Sequence, residues 1–166
     1  MSNVSGQIGF VLAAPPLTSG TRTLNMTLRA GTALGYGSVS IANLFALPMR
    51  NTGDLDVAGA TGDGWAAARP ALESLLLKSE VVFAAWGLGK CSGPARLHKR
   101  AQILWLVTEA RRCGHTEVWT LAGEPRHPSR WHQYLGDQHG RAGAGGLEAR
   151  LGRNLRRVSV GDLVSL

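Results

Sequence analysis

Two polar side chains could take part in chemistry, and each follows or ends a short apolar run. Asn43 ends such a run, and its amide presents a hydrogen-bond donor and an acceptor side by side. His127 lies in the segment Pro125-Arg126-His127-Pro128-Ser129, and its imidazole can donate or accept a hydrogen bond and titrates near neutral pH. Each has an ordinary alternative, because Asn43 could cap a turn and His127 could be held by the backbone of its loop.

Strand-like apolar runs alternate with longer amphipathic segments, which is the pattern of a parallel sheet covered by helices on both faces. The predicted strands cover residues 8–13, 39–45, 81–86 and 118–121, and the predicted helices cover residues 24–34, 65–78, 95–113 and 147–157. Residues 48–64 are polar and rich in glycine, which predicts an irregular loop. The expected fold class is α/β, a three-layer sandwich with a central four-stranded parallel sheet.

The length of 166 residues, with 44% apolar residues, is enough for one compact core. We expect one domain over residues 1–138, with a Gly-rich linker and a basic helix over residues 139–166 as an accessory to it. Every apolar run is shorter than the roughly 20 residues of a membrane-spanning helix, and the first residues lack the basic region of a secretory signal. A cytoplasmic monomer is expected, with free thiols at both of its cysteines.

The charge is strongly basic, with 18 Lys and Arg against 11 Asp and Glu, a net charge of +7. This surplus favours a polyanionic partner, and nucleic acid is the leading one, although a basic surface can also serve solubility alone. The helix predicted at 95–113 carries much of the charge. On it we expect Ile103, Leu104, Leu106 and Val107 to face inward, and Arg96, Lys99, Arg100, Arg111 and Arg112 to face largely outward.

Metal and nucleotide motifs are weak. A zinc site could draw on Cys91, His98, Cys113 and His115, but only Cys113-x-His115 forms a tight pair of ligands. The segment Gly87-Leu88-Gly89-Lys90 lacks the spacing of an ATP-binding loop. We therefore predict no metal and no cofactor.

The segments beyond the strands carry the polar residues. In an open α/β sheet, ligands bind beyond the carboxyl ends of the strands, where loop amides and helix N-termini converge. The four segments begin near Ala14, Asn43, Trp86 and His127. We expect them to form one site.

The strand-end segments also resemble known families. The order Asn-Leu-Phe-Ala, Val-Val-Phe-Ala-Ala-Trp-Gly and Pro-Arg-His-Pro resembles a family of bacterial and phage proteins catalogued as a domain of unknown function, DUF1643, over about residues 8–129. The same order is similar to the uracil-DNA glycosylase superfamily, in which a Pro-containing loop, a base-reading Asn and a His-Pro-Ser motif follow successive strands. The resemblance implies a uracil-DNA glycosylase-like fold and excision of a flipped-out base from DNA, leaving an abasic site.

The resemblance implies roles for individual residues. His127 would stabilise negative charge on the leaving base, and Asn43 would read the flipped pyrimidine. Many superfamily members place an acidic or amide residue immediately before the first Pro, but here that residue is Ala14, as in some branches. A carboxylate from the loop with Asp54, Asp56 and Asp63 could substitute, Asp54 being the one we select; a solvated acidic loop is the alternative.

The resemblance also implies contacts with substrate and DNA. We expect Trp131 to act as the wedge that fills the gap left by the flipped nucleotide, or else to be a core residue of a short helix together with Tyr134. The residues expected to contact the substrate are Ala14, Pro15, Pro16, Phe45 and Trp86. The residues expected to contact DNA are Ser129, Arg130, Trp131, Arg22 and Lys90.

The first loop bears on the choice of base. Uracil-specific enzymes place a bulky Tyr where this chain has Pro16, so the C5 side of the pocket is expected to be more open. This favours a C5-hypermodified cytosine, such as the hydroxymethyl and glucosylated forms in phage DNA, and a role in defence against phage. The alternatives are a glycosylase for uracil or deaminated bases, a non-catalytic nucleic-acid-binding module, and an enzyme acting on free nucleosides or nucleotides.

Overall fold

The computed structural model describes residues 6–15, 21–49, 52–135 and 145–165. Its strands are β1 (Gln7–Leu12), β2 (Ser38–Asn43), β3 (Val81–Ala84), β4 (Glu117–Leu121) and β5 (Leu155–Ser159). They form one sheet in the order β2-β1-β3-β4-β5, in which the first four strands are parallel and β5 is antiparallel to β4. The α/β class is confirmed, but the sheet has five strands rather than the four predicted.

Helices cover both faces of the sheet. They are α1 (Arg22–Ala33), α2 (Thr52–Ala58), α3 (Asp63–Lys78), α4 (Gly93–Arg112), α5 (His132–Leu135) and α6 (Leu147–Asn154), with 3₁₀ turns at Pro128–Arg130 and Val160–Ser165. Side chains of α1, α5 and α6 share one apolar core, and side chains of α2, α3 and α4 share the other. Among the described residues, no helix is both long enough and apolar enough to cross a bilayer.

The central strands are buried on both sides, which explains their continuous apolar sequences. On β1, Phe10 packs against one layer of helices and Val11 against the other, and both are fully buried. Phe10 stacks on Phe83 of β3 with 4.7 Å between the ring centroids. Burying each such side chain stabilises the fold by about 1.5–3 kcal/mol.

Three predictions about local structure are wrong. The predicted helix at 147–157 ends at Asn154, and its last predicted residues belong to β5. This strand pairs with β4, whose outer amides and carbonyls would otherwise lack partners. The run of arginines around β5 concealed a strand because it lacks apolar alternation. The predicted loop at 48–64 contains α2, and Leu104 is 44% exposed rather than facing inward.

The strand order determines where a ligand can bind. From β1 the chain passes to β2 on one side and later returns to β3 on the other side. The connections leaving β1 and β3 therefore diverge at their carboxyl ends and leave a crevice between them. This crevice is the position expected for the site.

Candidate functional site

A cleft of about 900 Å³ opens at the carboxyl ends of β1 and β3. Its walls come from the loop after β1, the loop after β3 and the loop after β4. Ala14 and Pro15 lie on one side, Trp86 lies at the end of β3, and His127 and Arg130 close the other side. Three separate strand ends thus meet in one concave surface.

The loop after β4 is shaped by backbone geometry. Ala122 and Gly123 have positive φ values of 57° and 86°, and they turn the chain directly after the strand. The Gly87 N–H then donates a 2.6 Å hydrogen bond to the Pro125 carbonyl, which ties this loop to the end of β3. A Cβ on Gly87 would lie 3.3 Å from Cβ of His127, and φ of Gly87 is +90°, so glycine lets the two loops approach closely.

His127 is held as a neutral imidazole with a defined tautomer. Its Nδ1 accepts a 3.3 Å hydrogen bond from the Ser129 backbone N–H and lies 2.8 Å from the Ser129 hydroxyl. A backbone N–H can only donate, so Nδ1 carries no proton and the ring proton is on Nε2. Burial, and secondarily the positive charge of Arg130, lowers the pKa of His127 from 6.5 to about 4. The cleft is therefore lined by a neutral imidazole whose Nε2 is a hydrogen-bond donor.

The charged side chains that line the same cleft are cationic. Lys90, Lys99, Arg126 and Arg130 line the cleft, and no carboxylate lines it within the part of the chain that the structure describes. The Lys99 ammonium donates a 2.8 Å hydrogen bond to the Gly89 carbonyl, and burial lowers its pKa. The cleft therefore favours an anionic ligand.

A thiol also lies in the cleft wall. Burial raises the pKa of Cys91, and the nearby charge of Lys99 only partly opposes that effect. Cys91 is 8% exposed. A buried thiol with a raised pKa is a poor nucleophile, since the thiolate is the reactive form.

Comparison with known proteins places the chain in a family. The family model described as a protein of unknown function (DUF1643) matches residues 13–129, which is more than half of the chain. The chain belongs to this family. No curated protein and no solved structure matches it. In this DUF1643 protein, the matched region runs from the loop after β1 to Ser129 and includes the loops that line the cleft, whereas α6 and β5 lie outside it.

Seven of the residues selected from the sequence line the cleft of the DUF1643 protein: Ala14, Pro15, Trp86, Lys90, His127, Ser129 and Arg130. Lys99 and Arg126 also line it, although the sequence pattern assigned Lys99 to the outer face of its helix and gave Arg126 no role. The basic character of the helix predicted at 95–113 was the available signal for Lys99. Pro16 lies outside the described residues, so the prediction about the C5 side of the pocket has no structural counterpart here.

Asn43 supports the first loop and is absent from the cleft wall. Its Nδ2 donates a 3.1 Å hydrogen bond to the Pro15 carbonyl, while its Oδ1 is buried without a partner in the described structure. The Ala14 carbonyl accepts a 2.6 Å hydrogen bond from the Met49 N–H, which adds a second link to this loop. The geometry therefore gives Asn43 a positioning role for Pro15.

The acidic residues considered as substitutes for the missing carboxylate lie at helix starts. Asp56 accepts hydrogen bonds from the Ser92 N–H (2.8 Å) and hydroxyl (2.9 Å) at the N-terminus of α4. Asp54 lies in the first turn of α2 and Asp63 in the first turn of α3, where a negative charge is favourable. None of the three lines the cleft, so the role expected for Asp54 stays a prediction.

Two aromatic residues predicted to contact DNA or the base are in the core. Trp131 is fully buried, its indole N–H donates a 2.8 Å hydrogen bond to the Arg126 carbonyl, and its ring contacts Phe83. This is the position of a core residue, the alternative to a wedge that the sequence left open. Phe45 is 1% exposed and makes an edge contact with Trp65, so it is not available to stack on a base.

Arg22 lies near the cleft without lining it. Its Nη1 is 3.4 Å from Nδ1 of His132, and the same Nδ1 is 3.0 Å from the Ser129 carbonyl oxygen. One nitrogen cannot accept from Arg22 and donate to a carbonyl at once, and the shorter distance makes it the donor to Ser129. Arg22 is exposed beside the loop that carries His127.

The four residues considered for zinc do not assemble. Among the described residues, no three His, Cys, Asp or Glu side chains are grouped as metal ligands. Cys91 lines the cleft, whereas His115 is buried with its Nε2 2.8 Å from the Leu76 carbonyl oxygen.

Proposed function

We propose that this DUF1643 protein is a DNA glycosylase that extrudes a modified pyrimidine and hydrolyses its N-glycosidic bond, leaving an abasic site. The observation that carries the proposal is His127, a neutral imidazole with its proton on Nε2 in a cationic cleft. The proposal includes a uracil-DNA glycosylase-like fold. Its support is the parallel strand order β2-β1-β3-β4 with a cleft at the carboxyl ends.

The chemistry of glycosidic cleavage suits a neutral donor. When the bond between sugar and base breaks, its electron pair leaves with the base, and negative charge collects on the base carbonyl oxygens. A hydrogen bond from Nε2 of His127 to such an oxygen becomes stronger as the charge develops, so it stabilises the transition state more than the bound substrate. Water then adds to C1′ of the sugar and gives up a proton, and the products are the abasic sugar and the free base.

The charge of the cleft supports a polyanionic substrate. Lys90 and Arg130 have no ion-pair partner among the described residues, and both line the cleft. DNA phosphates would neutralise them and release counterions, which favours binding. The volume of about 900 Å³ lies within the range of small-molecule sites and is sufficient for an extruded nucleoside.

The positive charge that develops on the sugar needs a negative partner. No carboxylate lines the described part of the cleft, so in this proposal the flanking phosphates of the DNA strand supply that charge. This requirement for flanking phosphates excludes free nucleosides as substrates. Free nucleosides lack flanking phosphates and are expected to be stable in the presence of the protein, whereas the same base in a DNA strand is excised.

The favoured base is a C5-hypermodified cytosine, such as hydroxymethylcytosine or its glucosylated form in phage DNA. Ala14 supports this choice because a small side chain lines the cleft beside Pro15. Excision of such bases would direct the protein against phage DNA. A glycosylase acting on uracil is the alternative within the same chemistry.

Duplexes that differ at a single pyrimidine test the proposal. The central base is cytosine, uracil, hydroxymethylcytosine or glucosylated hydroxymethylcytosine, and alkaline cleavage reveals abasic sites. We expect cleavage with a modified cytosine and about a hundredfold to thousandfold slower excision in His127→Ala. His132→Ala is the matched control, since His132 lies in the same segment but is exposed and outside the cleft wall. Excision of uracil alone would change the substrate, and full activity of His127→Ala would remove His127 from the mechanism.

A non-catalytic nucleic-acid-binding module is the second candidate. The described cleft wall has no carboxylate, and the Asn43 amide is engaged with Pro15, and both observations favour it. Tight binding of every duplex without abasic sites in any of them would establish this candidate.

A further inference from the structure

A second, smaller cavity of about 290 Å³ lies beside the cleft. The two share the loop from Trp86 to Cys91 and the side chain of Lys99, and the N-terminal part of α4 forms the opposite wall of the smaller cavity. We call it the α4 pocket. Its floor includes Pro125 and the C-terminal residues Leu163 and Val164, so it depends on the last 3₁₀ turn packing on α4.

The charged side chains of the α4 pocket are all cationic. Lys90, Arg96, Lys99 and Arg100 line it, and no carboxylate does so among the described residues. Arg96 and Arg100 have no hydrogen-bond or ion-pair partner there. The nearby Asp56 carboxylate accepts two hydrogen bonds from Ser92 and forms no ion pair with these side chains. The cations of the pocket are therefore not paired with a carboxylate within the described protein.

This arrangement brings like charges close together on the exposed surface of α4. Arg96 and Arg100 are separated by one helical turn, where like charges repel, and Lys99 lies between them on the same wall. The Lys99 ammonium is further held toward the pocket by its 2.8 Å hydrogen bond to the Gly89 carbonyl, at the cost of lost hydration. A bound anion would relieve both costs.

We propose that the α4 pocket is a phosphate-binding site, separate from the site that takes the base. Two guanidinium groups can hold phosphate oxygens in paired hydrogen bonds, and the Lys99 and Lys90 ammonium groups add positive charge. The shared loop places this phosphate next to the cleft. The phosphate belongs to the DNA strand that enters the cleft or to a free phosphorylated ligand, and only the first source rests on the proposed function.

The position of the pocket separates two groups of basic residues on α4. Arg111 and Arg112 lie in its last turn, at the opposite edge of the sheet from the cleft, and Arg112 is paired with Glu109 at 2.7 Å. Arg96 and Arg100 lie in its first two turns beside the cleft. Substitutions of Arg96 and Arg100 are therefore expected to weaken ligand binding more than substitutions at the other end of the helix.

Binding of a labelled duplex that carries a stable abasic analogue tests the proposal without any need for base excision. Fluorescence anisotropy is measured for the wild type, for Arg96→Gln/Arg100→Gln and for the control Lys78→Gln/Arg112→Gln, which removes the same charge at the far edge of the sheet. At about 50 mM salt we expect binding by the first variant to be about tenfold weaker or more. Its slope of log K against log salt becomes shallower by about 0.9 for each DNA phosphate that the variant no longer neutralises. The control is expected to bind like the wild type.

A calorimetric titration with inorganic phosphate identifies the source. If duplex affinity is unchanged but phosphate binding disappears only in Arg96→Gln/Arg100→Gln, the site exists and takes a free phosphorylated ligand. The proposal is overturned if both double variants weaken duplex binding equally. It is also overturned if the two variants have the same affinity for the duplex and the same affinity for inorganic phosphate. Matched melting temperatures of the variants confirm that each is folded. A failure of base excision would leave these binding results in place, so the two proposals fail separately.

Discussion

The neutral, buried imidazole of His127 should make the stability of the fold depend on pH within a defined window. Its pKa is about 4 in the folded protein, against an ordinary value of 6.5. Between these values the unfolded chain binds more protons than the folded chain, so stability falls as the pH falls. Above about pH 6.5, His127 does not lower the free energy of unfolding. Relative to that range, its protonation in the unfolded chain lowers the free energy of unfolding by about 2 kcal/mol at pH 5 and by about 3 kcal/mol at pH 4.

His127→Gln removes the titrating group and isolates this contribution. The free energy of unfolding is measured by urea denaturation from pH 7 to pH 4, with fluorescence of the five tryptophans as the signal. Subtracting the variant curve from the wild-type curve cancels the carboxylates that titrate in both proteins. From pH 7 to pH 4, we expect the free energy of unfolding of the wild type to fall by about 3 kcal/mol more than that of the variant.

The control for this experiment is His132→Gln, which replaces an exposed imidazole close to His127 in sequence. Parallel curves for the wild type and His127→Gln would refute the reasoning, because they would show that His127 has a similar pKa in the folded and unfolded chains. The Nε2 donor assigned to the neutral imidazole would then lose its basis.

Three further predictions concern stability. Gln102→Leu removes the buried hydrogen bonds from Gln102 Nε2 to the Leu44 and Trp65 carbonyls, and we expect the free energy of unfolding in urea to fall by about 2–4 kcal/mol; a near-neutral change would contradict the hydrogen bonds of 2.9 and 2.7 Å. Trp131→Phe should lower the melting temperature while DNA affinity stays constant, whereas a wedge would give the reverse. Ala122→Gly should raise the free energy of unfolding by up to about 1 kcal/mol, since Ala122 has a φ of 57°; a decrease on thermal denaturation would show that the strain is absent.

The sequence predicted the elements that depend on local pattern. Continuous apolar runs predicted β1 and β3, since a strand buried on both faces has no polar side to reveal. The alternation of strands and helices predicted a parallel arrangement, and the rule of strand ends then brought Ala14, Trp86 and His127 into one cleft. These inferences needed only the order of elements along the chain.

Features that depend on distant partners were not predictable in the same way. Gln102 is fully buried because the carbonyls of Leu44 and Trp65, both far away in the sequence, accept its hydrogen bonds. Lys99 is half-buried because the loop after β3 folds over it. Polar residues on a helix are ordinarily exposed, so nothing in the local pattern distinguishes these two from their neighbours.

The contrast between His127 and Asn43 shows how far motif reasoning extends. Every contact that fixes the His127 tautomer comes from Ser129, two residues away. Pro128 favours an extended backbone at His127, which has φ −69° and ψ 136°, and it begins the turn that brings the Ser129 N–H back to Nδ1. Three consecutive residues therefore determine the tautomer of the imidazole, whereas its neutral charge comes mainly from burial and so depends on the fold. Asn43 instead bonds to Pro15, 28 residues away, so its role depends on the loop after β1. A motif predicts chemistry when its contacts are local, and it predicts only position when they are not.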